Sequence, residues 1–413
     1  MKRIPLHIQI FIGLAAGVLV GYVCRIADAA WVSTDYIAWA GEIYLRALSM
    51  VVIPLIVASI ITGMTGNAGS AGLGKLGIKT FCYYIMTSLL AISTGLLLVN
   101  LIHPGVGAVL NVSEPSSVDV LGDASMGNLL LRIIPLNPFQ AMADGDMIAI
   151  IFFSILFGVF VNQATDKYRS TLTKFFDAFF DVMIRLTHFI IRFTPIGVFA
   201  LMAKLVAETG FNLFVPLAGY MITVFLALLI HAGITLPAIL YFVSKINPWK
   251  HFKAMLTVLL TAFSTASSSA TLPLTLDAVQ QNAGVSKRVS SFVLPLGSTV
   301  NMDGTALYEC IAALFIAQVY GIDLSLLQQL TVVLTALLAS IGAAGIPMAG
   351  LVMMTVILRA VGLPLEGVGL ILAVDRILDM MRTSVNVWSD TCGAVLIAKT
   401  EKDVLNASYL KKD

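Results

Sequence analysis

The sequence predicts an all-α polytopic membrane protein with eight transmembrane helices and two re-entrant helical hairpins. Three observations support that prediction. Of 413 residues, 58% are hydrophobic and only 12% charged, whereas soluble domains average about 45 to 50% and about 25%; the mean hydropathy is +0.94. Apolar runs able to cross about 30 Å of hydrocarbon lie near residues 8–24, 37–63, 77–102, 148–162, 173–203, 214–243, 289–319 and 367–398. Two further segments are split, each into two short apolar halves around small residues.

Taken in order, run 8–24 has no small-residue cleavage site after it and reads as a retained span rather than a signal peptide. Runs 37–63 and 77–102 follow, and then 103–147, rich in Gly, Pro and Ser, forms one long irregular connection. Between the sixth and seventh runs lie 254–263, the break 264–269 and 270–285; between the seventh and eighth lie 330–338, the break 342–350 and 351–363. Halves of this length make only about 14 to 24 Å of helix, too short to span, so both segments read as hairpins. The seventh run is itself interrupted at Gly297–Gly304, GSTVNMDG. A glycine-bounded polar break unwinds a helix and frees backbone carbonyls, tolerable at this depth only inside protein or beside a cavity. An exposed loop is the other reading, disfavoured by the apolar sequence on both sides.

Charge placement fits this topology, because short cytoplasmic loops hold the excess of Lys and Arg. With both termini inside, Lys2, Arg3, Lys75, Lys79, Lys167, Arg169, Lys174, Lys245, Lys250, Lys253, Lys287, Arg288, Lys399, Lys402, Lys411 and Lys412 are cytoplasmic. The outside receives Arg25, Arg132 and Lys204 with the acidic loop around Glu114, Asp119, Asp123, Asp144 and Asp146. The net charge is +2 with no pooled basic groove, so nucleic acid is not an expected partner. Cys24, Cys82, Cys310 and Cys392 sit in four separate apolar segments, as packed thiols do, rather than in a disulfide framework or a clustered metal site.

Within the last run, Asp375, Asp379, Arg382, Asn386 and Asp390 follow one another at spacings of four, three, four and four. On a helix they fall within an arc of roughly 80° and form one polar stripe. Ionisable groups at membrane depth are costly unless they face protein, water or a counter-charge. The stripe therefore points to a site for a charged solute and its accompanying cations; an ion-pair ladder between packed helices is the plainer reading. Two other constellations lie nearby in the chain: Ser267, Ser268 and Ser269 in SSSATLP, and Asn301 with Asp303 in NMDGTALYE. None of His7, His103, His188, His231 or His251 falls within these constellations, which speaks against an intramembrane hydrolase using the serine run.

With the tip GAAGIPMAG, this ordered set, over essentially the whole chain, resembles the dicarboxylate and amino-acid:cation symporter family, which contains the excitatory amino acid transporters and their prokaryotic homologues. The resemblance implies an inverted-repeat, glutamate-transporter-like fold and elevator-type alternating access in a homotrimer of the plasma (inner) membrane. It implies scaffold spans 1 and 2 in residues 1–76, a transport-domain span 3 in 77–102, scaffold spans 4 and 5 in 103–206 and the rest of the transport domain in 207–413. It implies that Arg382 takes the substrate's side-chain carboxylate by a bidentate fork and that Asp379 takes its ammonium. Ser268, Ser269 and Asn386 would meet the α-carboxylate, with Thr305 and Thr383 completing the wall. Neutral amino-acid transporters lack the arginine and C4-dicarboxylate carriers lack the acid, so having both predicts aspartate or glutamate. A proton-coupled dicarboxylate carrier is the alternative, and an ion channel a more distant one.

For co-transported Na⁺ the resemblance implies three sites: Asn301, Asn386 and Asp390 with the Gly297 carbonyl; Thr299 with the Ser340, Ile341 and Ala343 carbonyls; and Thr87, Ser88, Asn301 and Asp303 with the Tyr84 carbonyl. Without the family, Thr87 and Ser88 read as small packing residues. Glu309 matches the proton-carrying glutamate of eukaryotic members, in the general sense that burial favours a protonated carboxyl; a permanently neutral, hydrogen-bonded glutamate is the alternative. K⁺ counter-transport is a further implied possibility. Two departures stand out. Ala266 replaces the arginine before the serines of archaeal members, and Met380 stands where eukaryotic ones carry an arginine, leaving Arg376 to supply that charge beside Asp379 or to serve structure alone. Trp388 and Ser389 precede Asp390, where relatives usually have a glycine just before the aspartate.

Overall fold

The computed structural model describes residues 6–65, 73–108, 134–210, 214–342, 349–402 and 405. Among these the regular elements are helices: α1 (Leu6–Ile26), α2 (Ala38–Thr65), α3 (Leu73–Ile102), α4 (Pro138–Asp144), α5 (Met147–Gln163), α6 (Asp166–Ile191), α7 (Thr194–Thr209), α8 (Phe214–Ile230), α9 (Leu236–Phe242), α10 (Pro248–Thr265), α11 (Ser268–Gln281), α12 (Lys287–Val300), α13 (Asp303–Val319), α14 (Leu326–Gly342), α15 (Ala349–Val361) and α16 (Gly367–Thr400). A short turn, Ala30–Val32, and the π-helical segment Ser33–Ile37 lead into α2, and a second π-helical turn, His231–Thr235, joins α8 to α9.

By length and apolarity, four described stretches can cross a membrane: Ile8–Ile26, Leu76–Ile102, Val215–Phe242 and Lys287–Val319. A fifth forms if Asp166–Ile191 and Thr194–Glu208, bent by 49°, count as one. This is fewer than the eight expected. The second and fourth expected spans are helical as α2 and α5. The eighth is helical throughout as α16, with Asp375, Arg376, Asp379, Arg382 and Asp390 along it. The expected run 173–203 is corrected to the bent pair α6 and α7, broken at Arg192–Phe193. Of the irregular connection, 109–133 lies outside the described residues, and the short helix α4 follows it, capped by Asn137.

The first split segment has a tighter break than expected, while 343–348 of the second lie outside the described residues. α10 starts at Pro248, where the Asn247 side chain accepts from the Lys250 amide, as a capping asparagine before a first-turn proline does. It ends at Ala266, whose φ of 49° lies in the left-handed region at a cost of roughly 1 kcal/mol for a residue with a Cβ. Ser267 then caps α11 through a 3.2 Å bond from the Ala270 amide. The expected six-residue break thus shrinks to Ala266 and Ser267, with Ser264 and Ser269 inside helices. In the seventh run only Asn301 and Met302 are non-helical, rather than all of 297–304.

Packing has two foci. α1 lies along α7 through Gly13, Gly17 and Gly21, where an added Cβ would strike the carbonyl oxygens of Pro195, Phe199 and Ala203; such four-residue spacing of small residues lets helix backbones meet in apolar surroundings. At the other focus α13 is enclosed by α3, α8, α14, α15 and α16. All its residues are buried except Gln318, and Phe315 stacks on Tyr220 of α8 with ring centroids 4.7 Å apart. The sites described next lie where α12 gives way to α13. The four cysteines are free.

Candidate functional site

The α16 stripe faces α13, and its one cation, Arg382, is 1% exposed. Its Nη2 donates to Asp375 Oδ1 and to Asp379 Oδ1, each at 3.0 Å. The guanidinium carbon lies 3.7 Å from the centre of the Tyr308 ring, and the Tyr308 hydroxyl donates to the same Asp375 oxygen at 2.8 Å. Nε and Nη1 of Arg382 have no hydrogen-bond partner among the described residues. A buried guanidinium with two unmatched edges is costly, and the planar fork matches a carboxylate. Asp379 is shared: Arg376 Nη1 approaches its Oδ2 at 3.6 Å. The expected assignment gave Asp379 to an ammonium group alone; here it also balances two arginines. Arg376 does supply charge beside Asp379.

The backbone around Arg382 leaves little room. A Cβ on Gly350, at the start of α15, would stand 2.6 Å from Arg382 Nη1, and one on Gly304 would stand 2.8 Å from the Arg382 carbonyl oxygen. Asn386 accepts from the Gly304 amide at 2.8 Å and donates to Thr305 Oγ1 at 3.1 Å, tying α16 to the start of α13. Thr383 is buried beside them. Ser268 Oγ donates to the Ser298 carbonyl at 3.0 Å, while Ser269 is exposed. The two adjacent serines therefore face different surroundings, one in protein and one open.

A second polar cluster lies one turn further along α16, around Asp303. Ser88 Oγ donates to Asp303 Oδ1 at 2.7 Å, and Thr87 Oγ1 approaches the same oxygen at 3.3 Å and Asn301 Oδ1 at 3.5 Å. The α3 hydroxyls thus join this polar cluster instead of only packing. Asn301 Nδ2 donates to Asp390 Oδ1 at 2.8 Å. Asn301, Asp303 and Asp390 are all buried, and carboxylates so close together in apolar surroundings call for cations or protons. Three expected backbone or hydroxyl ligands are engaged within their own helices. The Tyr84 carbonyl accepts from Thr87, the Gly297 carbonyl from the Asn301 amide, and Thr299 donates to the Leu296 carbonyl. Ser340 and Ile341 are buried near the end of α14, and Ala343 lies outside the described residues.

Sequence reasoning set the histidines aside, and the structure corrects this: His231 Nε2 lies 3.1 Å from Asp303 Oδ2, with both residues fully buried. The π-helical turn presents the imidazole, and the available signal was a lone polar residue deep in an apolar run. Ser389 also enters the cluster, donating to Asp303 Oδ2 at 2.6 Å and accepting from Asn301 Nδ2 at 3.0 Å. Trp388 points the other way: its indole donates to the Ala232 carbonyl at 3.1 Å and its ring packs on His251. The bulk before Asp390 is therefore accommodated outside the site. Glu309, one and a half turns into α13, is fully buried, and neither of its carboxyl oxygens has a hydrogen-bond partner among the described residues.

Buried arginine and carboxylates facing broken helices inside a helical membrane protein define a carrier-type site for a charged solute. A profile of the sodium:dicarboxylate symporter family matches residues 6–400. The chain is 36% identical over 414 residues to the proton/glutamate-aspartate symporter of Escherichia coli (strain K12), covering 97% of this chain and 94% of that protein. It is 36% identical over 411 residues to the proton/sodium-glutamate symport protein of Bacillus caldotenax, covering 97% and 96%. With human excitatory amino acid transporter 2 it shares 35% identity over 474 residues, covering 99% and 81%. The chain belongs to the sodium:dicarboxylate symporter family.

Proposed function

We propose that this protein is a secondary symporter of the acidic amino acids aspartate and glutamate, driven by Na⁺ with H⁺ and working by alternating access. The observation that carries the reading is Arg382: buried, oriented by Asp375, Asp379 and Tyr308, and left with unmatched Nε and Nη1 edges. A carboxylate supplies those edges with acceptors, and Asp379 beside it offers an acceptor to the substrate's ammonium. Ser268, Ser269, Thr305, Thr383 and Asn386 complete the substrate's surroundings, with Arg376 adding charge next to Asp379. The Asp303 cluster and the Asn301–Asp390 pair serve the coupling cations, a role supported by the names of the bacillar relatives, which pair proton and sodium with glutamate.

The finer architecture belongs to the same proposal. Eight spans and two hairpins place both termini in the cytoplasm of a plasma membrane, and a transport unit of 77–102 and 207–413 moves against a scaffold of 1–76 and 103–206 in a homotrimer. Glu309 carries the proton, a role its buried, unpartnered carboxyl supports. The Thr299, Ser340, Ile341 and Ala343 set holds a further Na⁺, and K⁺ returns in exchange.

The test is uptake of labelled aspartate and glutamate into proteoliposomes under Na⁺, H⁺ and K⁺ gradients imposed one at a time. Saturable uptake that needs an inward Na⁺ gradient supports the proposal. Succinate taken up in preference to either amino acid would instead favour a dicarboxylate carrier.

A further inference from the structure

The Ser389 hydroxyl is fully buried between Asp303 and Asn301. It donates to Asp303 Oδ2 at 2.6 Å and accepts from Asn301 Nδ2 at 3.0 Å; the next residue is Asp390, which accepts from the same Asn301 nitrogen at 2.8 Å. With Ser88 and Thr87 on Asp303 Oδ1, three hydroxyls converge on one buried carboxylate. A hydroxyl that donates to a carboxylate keeps lone pairs for a cation, and hard cations take several such oxygens.

Ser389 is also rigidly placed. The neighbouring Trp388 indole is fixed to the Ala232 carbonyl at 3.1 Å, and His231, the residue before Ala232, reaches Asp303 Oδ2 at 3.1 Å. Trp388 thus holds the π-helical turn directly, while Ser389 and His231 meet on one oxygen of Asp303. Rotation of α16 that would withdraw the serine is opposed by the tryptophan.

We propose that Ser389 is a specificity-determining residue of the cation cluster, its hydroxyl an added ligand that links the Asp303 and Asp390 halves and favours Na⁺ over smaller cations. This rests on the cation-coupled reading above. Ligand number is the reason: Li⁺ is satisfied by fewer oxygens than Na⁺, so a site with one more oxygen discriminates against it.

The experiment compares the wild type with Ser389→Ala and with Ser389→Gly in proteoliposomes, measuring aspartate uptake against Na⁺ and against Li⁺. Loss of the hydroxyl raises the Na⁺ concentration for half-maximal uptake by about fivefold, the equivalent of one hydrogen-bond-sized interaction, and moves the Li⁺ requirement less, so the Na⁺ preference narrows. Unchanged Na⁺ dependence in both variants overturns the inference. So does an equal shift for Na⁺ and Li⁺, which would mark the serine as a packing element. Wild-type uptake that needs neither cation is a separate outcome: it removes the cation-coupled reading and this inference with it.

Discussion

The guanidinium of Arg382 lies over the ring of Tyr308, its central carbon 3.7 Å from the ring centre, and both side chains meet on one oxygen of Asp375. Cation–π contact and a shared carboxylate fix the arginine's plane, so its free edges have a set direction. Arg382→Ala is expected to abolish acidic amino-acid uptake, because a buried carboxylate loses its fork at about 3 to 5 kcal/mol. Arg382→Lys should fail nearly as badly, since an ammonium cannot reproduce the fork or the stacking. Aspartate affinity in purified variants is the measurement, and a wild-type value in Arg382→Ala would sink the substrate assignment.

Asp303→Asn and Asp390→Asn each remove a buried carboxyl oxygen from the proposed cation cluster. Both are expected to raise the Na⁺ requirement and, through reciprocal linkage, the apparent dissociation constant for aspartate, by a coupling of about 5- to 150-fold. Binding titrations at several Na⁺ concentrations check this. Aspartate affinity equal in sodium and in choline, in the wild type, would contradict it.

Glu309→Gln keeps the side chain's shape and removes its proton exchange. Uptake by this variant is expected to be nearly flat across external pH from about 5 to 8, the range in which enclosed carboxyls exchange protons, while Na⁺-dependent binding survives. Initial rates in matched liposomes test it, and superimposable pH profiles for wild type and variant would leave Glu309 outside the mechanism.

Gly350→Ala places a methyl 2.6 Å from Arg382 Nη1. Hairpin and arginine cannot both keep their positions, so aspartate affinity should fall at least about tenfold, the equivalent of 1.4 kcal/mol. Thermal stability should change much less, because the strain falls on a binding surface. Equal affinity would show that the second hairpin does not press on the arginine.

The amino-acid sequence made the polar stripe visible because helical periodicity aligned Asp375 with Asp390 on one face, and that face does meet α13. The breaks were legible as places but not as lengths. A small-residue run marks where a helix can end, whereas one left-handed residue, Ala266, and one cap, Ser267, decide where it does. His231 was invisible as a partner of Asp303 because the two are 72 positions apart and are joined by a π-helical turn, which has no strong sequence signature. Asp375 was seen in the stripe without a role; its work in orienting Arg382 through Tyr308 needed the packing of α13 against α16.

The enclosure of α13 bears on how the chain reaches its native state during synthesis. A helix with almost no lipid-facing surface gains little from lying alone in a bilayer, and it begins with a buried acid and carries another, Asp303 and Glu309. Two of its wrapping helices, α3 and α8, precede it in the chain, while three, α14, α15 and α16, follow it. Its counter-charge and hydroxyl partners on α16 are supplied last. Maturation of the central helix therefore waits for α16, and truncation within α16 before Ser389 leaves Asp303 without one of its buried partners.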